Sequence, residues 1–186
     1  MRTQTKEIQA ALTPHRALEL LREGNARFQA NLKVNRNLLE QVNTTADGQY
    51  PFAVILSCID SRTSAVLIFD QGLGDIFSVR VAGNVLSDDV LGSMEFACRL
   101  AGSKLIVILG HSACGAVKGA VDGVKLGKLT GSRLARHAPP VAHAVRPSLR
   151  RHLDRSSRQC DSAPSAKNSE SRAVPRGRAT DRYRFA

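Results

Sequence analysis

The chain contains no tryptophan, and it holds two tyrosines and six phenylalanines among 186 residues. A core must therefore rest on Leu, Ile, Val and Ala, which the 42% apolar content is enough to supply. Cysteine is also sparse, at positions 58, 98, 114 and 160, with no spacing that suggests a disulfide frame. That pattern points to a reducing compartment, and a cytoplasmic location is expected. The first residues, MRTQTKEIQAAL, lack the apolar core of a secretory signal. No apolar run approaches the ~20 residues of a membrane span, so no membrane partner is expected.

Acidic residues are few relative to basic ones, 16 against 27, for a net charge of +11. Such an excess invites a nucleic-acid reading, but its distribution argues against specific nucleic-acid binding. Residues 1–131 hold 14 Lys and Arg against 12 Asp and Glu, whereas residues 132–186 hold 13 against 4. The basicity belongs to an Arg-, Ala-, Pro- and Ser-rich tail without hydrophobic periodicity. The chain therefore reads as one domain over 1–131 and an irregular or disordered tail over 132–186.

Within the domain the pattern alternates between helix and strand. Thr13-Pro14 reads as an N-cap and first helical position, opening a helix over 14–31. Residues 32–50 read as loop, with a short helix around Leu38-Leu39. The apolar run at 52–56 reads as a buried strand, 76–81 as a second strand and the nearly all-apolar 104–109 as a third. Ser64 starts a short helix through 65–68. Ser87-Asp88-Asp89 caps another that Gly102 stops, and a further helix covers 114–124. This alternation specifies an α/β fold, with a parallel-centred sheet and flanking helices.

Two of the strands end in soft metal ligands. Cys58 follows the first strand, in the run SCIDSR; His111 and Cys114 follow the third, in GHSACGA. In a parallel sheet both ends lie on one edge, so neighbouring strands would make the ligands converge across a crevice. Two thiolates and an imidazole with no obvious fourth protein ligand are what an open, catalytic zinc site requires. Cys114 also stands where a helix N-terminus favours a thiolate, and Gly110 and Gly115 would allow a tight backbone. Asp60 beside the metal has two possible roles. It can close the site as fourth ligand, or it can orient a metal-bound hydroxide. Arg62, pairing bidentately with Asp60, can hold it off the metal.

These residues resemble the β-class carbonic anhydrases, in C-x-D-S-R over Cys58 to Arg62 and H-x-x-C-G over His111 to Gly115. The likeness extends to Gly24-Asn25-Ala26-Arg27-Phe28, Arg80-Val81-Ala82-Gly83-Asn84 and Ser93-Met94-Glu95-Phe96-Ala97, and so covers roughly 14–131. The resemblance implies zinc on Cys58, His111 and Cys114, with water or Asp60 fourth, and Asp60 and Arg62 as a catalytic dyad. It implies zinc-hydroxide attack on carbon dioxide to give bicarbonate and a proton, in a homodimer or higher homo-oligomer. Some members carry a tryptophan three residues before the first cysteine in an inhibitory bicarbonate pocket; Ile55 stands there here. Further helices and a later strand are implied after residue 124, yet nothing in 132–186 resembles them. The change of composition near Gly131 reads as a truncation or an out-of-frame continuation.

Two other readings share these residues. One is a related zinc lyase or hydrolase acting on another small linear molecule, such as carbon disulfide. The other is a non-catalytic zinc-binding α/β protein whose basic tail binds polyanions. Cys98 reads as a core residue and Cys160 as an exposed thiol. His15 reads as a surface residue, and His137, His143 and His152 as tail residues rather than ligands. Gly72 and Gly74 make a weak phosphate-loop signal.

Overall fold

The computed structural model of the chain describes residues 3–126. The expected tail at 132–186, with Cys160 and its three histidines, lies outside them. The elements are α1 (Lys6–Ala11), α2 (Pro14–Gln29), α3 (Leu38–Thr44), β1 (Ala53–Ser57), α4 (Ala65–Ile68), β2 (Ile76–Arg80), α5 (Asp88–Glu95), β3 (Leu105–Leu109) and α6 (Gly115–Leu126). The expected strands and long helices are present, with ends moved by a residue or two. No helix among the described residues is long and apolar enough to cross a membrane.

The sheet is parallel, in the order β2-β1-β3. All five residues of the central strand β1 are buried. Phe52, Ala53 and Ile55 face one core, shared with Ala17 and Leu21 of α2 and Leu105 and Val107 of β3. Val54 and Leu56 face the other, shared with Val90 and Met94 of α5 and Ala97. The continuous apolar run of β1 follows from this coverage of both faces. Each fully buried large side chain contributes about 1.5–3 kcal/mol.

Three details depart from the sequence reading. Helix α1 was not apparent, because the residue that docks it is polar. Gln9 is buried and donates to the carbonyls of Pro51 and Ala101, both at 2.7 Å. Helix α3 is inverted relative to hydrophobic patterning. Its Gln41 points inward and accepts from the Leu73 amide at 3.1 Å, while Leu38 and Leu39 are exposed. The helix expected to run unbroken to Leu100 instead becomes π-helical over Phe96–Leu100 before Gly102 ends it at φ +77°.

The segment from Gly24 to Arg27 docks α2 onto the end of α4. A Cβ at Gly24 would stand 1.7 Å from the Phe69 carbonyl oxygen, so only glycine allows the approach. Asn25 donates to the Ile68 carbonyl at 3.1 Å. Asp70 is buried and receives Arg27 at 2.5 Å, Arg36 at 2.6 Å and the Val34 amide.

Burial pushes the Asp70 carboxyl up, but Arg36, Arg27 and the Val34 amide more than offset this, leaving its pKa below the ordinary 3.8. A carboxyl with a depressed folded pKa stabilises the fold above its unfolded pKa. That stabilisation is lost as pH falls through the folded value. Asp70→Asn leaves two guanidinium groups without their anion and is expected to cost about 3–5 kcal/mol at pH 7. Urea titrations should show this deficit narrowing as pH drops below 3.8. A deficit that stays constant from neutral pH into strong acid would rule out the ion pairs as its source.

Candidate metal centre

The register of the sheet brings two separated segments of sequence together. Ser57 ends β1 opposite Leu109, which ends β3. The residues that follow, Cys58 on one side and the turn 110–114 on the other, therefore leave the sheet at the same level. The sulfurs of Cys58 and Cys114 stand 3.9 Å apart. The donor atoms of Cys58, His111 and Cys114 all lie within 4.8 Å of one another.

The His111 side chain is 6% exposed. Its Nδ1 lies 3.1 Å from the Ser112 carbonyl oxygen. A carbonyl only accepts, so Nδ1 carries the proton and the lone pair is on Nε2. Nε2 is buried and has no hydrogen-bond partner among the described residues. An orphaned buried nitrogen is costly unless something completes it.

The turn from His111 to Cys114 depends on Ala113, at φ +55°, a conformation that costs roughly 1–2 kcal/mol without glycine. Gly110 and Gly115 do not supply this geometry. Neither has a positive φ, and a Cβ on either would meet nothing within 4 Å among the described residues. The expectation for Cys114 also changes. Burial pushes its thiol pKa up, outweighing the lowering by the Val117 and Ala116 amides at the start of α6. A cation bound there would have to displace the Cys114 thiol proton.

Asp60 and Arg62 form a two-pronged pair. Arg62 Nε donates to Oδ1 at 2.9 Å and Nη2 to Oδ2 at 2.7 Å, and the Arg62 amide adds a third bond at 3.0 Å. These bonds hold the Asp60 carboxyl well below the usual carboxylate range. Asp60 Oδ2 is 3.8 Å from His111 Nδ1. The carboxylate thus borders the three-donor cluster but is engaged by Arg62.

Supporting groups missed in the sequence surround this cluster. The Gly83 amide points at Cys58 Sγ at 3.4 Å, and Asn84 donates to the Leu109 carbonyl at 3.0 Å. The one-turn 3₁₀ segment Ala82–Asn84 therefore touches both half-sites. Arg80 and Thr63 bind the backbone of the Cys58–Asp60 turn. The run R-V-A-G-N after a strand was the available signal, but sequence shows neither its amide direction nor its partners. Cys98 lies in the π-helical turn, half-buried against the α5-side core. His15 is exposed beside Glu19. The Gly72 amide faces the Asp75 carboxylate at 2.7 Å, where a phosphate would be repelled.

The donor set fits zinc. Two sulfurs, each about 2.3 Å from a tetrahedral centre, would stand roughly 3.8 Å apart, close to the separation here. His111 Nε2 would supply the third ligand atom without giving up a hydrogen bond among the described residues.

Comparison with known proteins agrees with this chemistry. A family model described as carbonic anhydrase matches residues 53–176, running past the change of composition near Gly131. Carbonic anhydrase 2 of Mycobacterium tuberculosis is 43% identical over 137 residues, covering 73% of this chain and 64% of the relative. A carbonic anhydrase of Mycolicibacterium smegmatis is 43% identical over 117 residues, covering 62% and 57% respectively. The solved β-carbonic anhydrase of Aspergillus fumigatus superposes with a TM-score of 0.50 at 28% identity, covering 78% of this chain and 69% of its own. The chain thus spans less than two thirds of the length of these two curated relatives.

Proposed function

Because the chain belongs to the β-carbonic anhydrase family, we propose that it catalyses the reversible hydration of carbon dioxide to bicarbonate and a proton. Zinc would be held by Cys58, His111 and Cys114. The observation that carries this reading is the three-donor cluster with its buried, unpartnered His111 Nε2. When bound, zinc supplies Lewis acidity that lowers the pKa of a water toward ~7.

Asp60 and Arg62 act on what enters beside the cluster. Pairing with Arg62 keeps Asp60 ionised across the neutral range, so it accepts hydrogen bonds and donates none. It can orient a water through one of that water's O–H groups. Arg62 engages both carboxylate oxygens at once, which keeps Asp60 from becoming a fourth ligand. The thiol of Cys114 must lose its proton for the metal to bind, so uptake should weaken as pH falls.

Assembly as a homodimer or higher homo-oligomer is part of the proposal. It is supported by exposed apolar side chains on an outer surface, with Phe96 at 51% and Leu100 at 78% exposure. A cytoplasmic location is also part of it, since the ligand thiols must stay reduced.

The test uses the full-length chain. Zinc content is measured by mass spectrometry and hydration by stopped-flow pH change, before and after chelation. We expect about one zinc per chain and hydration that disappears with the metal and returns when zinc is restored. A chain that carries stoichiometric zinc but hydrates carbon dioxide no faster than buffer would overturn the proposed activity.

A further inference from the structure

The turn Cys58-Ile59-Asp60 has left the sheet and needs an anchor. The last ladder bond beside it runs from the Val81 amide to the Ser57 carbonyl at 3.0 Å. Its central side chain provides no hold, because Ile59 is 60% exposed. What remains are the carbonyl oxygens of Cys58 and Asp60, and Arg80 reaches both. It ends β2 opposite Ser57 in the parallel register, which sets its side chain beside the turn. Nε and Nη2 each lie 3.1 Å from the Cys58 carbonyl oxygen, and Nη2 lies 2.7 Å from that of Asp60.

We propose that Arg80 is a positioning residue of the metal centre. Its guanidinium spans the two carbonyls and thereby fixes where the Cys58 thiol and the Asp60 carboxylate stand. This inference rests on the zinc reading above. Thr63, 1% exposed, shares the task, with Oγ1 at 3.1 Å from the Cys58 carbonyl and 2.9 Å from that of Asp60. A hydroxyl has one proton and serves one of these acceptors at a time, although the Thr63 amide adds a bond to Asp60 at 3.0 Å. The guanidinium has several fixed N–H groups and serves both carbonyls together. Rotation of the turn would have to break these bonds in concert, so the sulfur of Cys58 keeps its distance from Cys114 and His111. A lysine carries the same charge but no planar fork, and it could hold only one carbonyl well.

The experiment compares full-length wild type with Arg80→Ala and Arg80→Lys. Zinc affinity is measured by chelator competition, and site geometry from the visible absorption of the cobalt-substituted protein. Far-UV circular dichroism confirms folding. Groups that orient metal ligands typically influence affinity 10–100-fold. We expect Arg80→Ala to bind zinc about 10–100-fold more weakly, with altered cobalt ligand-field bands, and Arg80→Lys to recover only part of both. If Arg80→Ala does not fold, Arg80→Lys alone carries the test, through weakened affinity and displaced bands. A folded variant that binds zinc within about twofold of wild type and keeps its cobalt spectrum would overturn the assignment. Wild type that binds zinc yet fails to hydrate carbon dioxide would remove the proposed activity and leave the Arg80 comparison intact. Wild type that binds neither metal would overturn both.

Discussion

Cys58→Ser should abolish both zinc binding and carbon dioxide hydration. The side chain projects from the end of the fully buried strand β1, and its sulfur lies 3.9 Å from that of Cys114. Serine is close to isosteric there, so the core should be spared and the loss confined to the ligand. A hydroxyl does not ionise near neutral pH and is a poor substitute for a thiolate. Well-formed zinc sites bind with roughly 10–16 kcal/mol. Shared among three or four ligands, that is about 2.5–5 kcal/mol each, or roughly 10²- to 10⁴-fold in affinity. After dialysis the variant should hold little zinc, and its hydration rate should fall to background. Cys98→Ser is the control. Cys98 lies in the π-helical turn outside the cluster and should retain both zinc and activity. Equimolar zinc in dialysed Cys58→Ser would show that the metal is bound elsewhere.

Arg62→Ala should separate activity from metal content. Arg62 is itself 47% exposed and is not one of the three donors, so zinc should remain stoichiometric. What is lost is the fork on Asp60, together with the main cause of that carboxyl's depressed pKa. Freed from the bonds with which Arg62 engages both of its oxygens, the carboxylate is expected to turn into the fourth position. Hydration should fall about 10–100-fold, the range typical for groups that orient metal ligands and their neighbours. Arg62→Lys should recover little, because an ammonium engages one carboxylate oxygen rather than two. Stopped-flow rates normalised to measured zinc decide the matter. Rates that fall only in proportion to lost zinc would make Arg62 a structural residue of the loop.

The legible parts of this protein share one property, which is that their signals are local. The apolar run before Cys58 is buried on both faces because β1 is the central strand, so its burial and its composition say the same thing. Thr13 followed by Pro14, and Ser87 followed by two aspartates, cap helices through bonds that span three residues. The spacing of His111 and Cys114 is local as well. Even so, the bend between them depends on a strained alanine rather than on the flanking glycines, because the surrounding structure decides which residue takes the left-handed conformation.

Where packing is polar, the pattern was silent or misleading. Helix α1 is docked by a glutamine, and α3 turns its glutamine inward and its leucines outward, so hydrophobic periodicity had nothing to report. The sequence by itself determined the α/β class, the three soft donors and the Asp60–Arg62 pair, since these depend on residue type and short spacing. Only the tertiary structure decided the rest. Register alone sets Ser57 level with Leu109 and with Arg80, which closes the donors to within 4.8 Å. Contacts of 22 to 56 residues' separation, from Arg80 to the Cys58 carbonyl and from Cys58 to Cys114, exist because parallel strands must return before they pair. No short-range pattern encodes where that return will end.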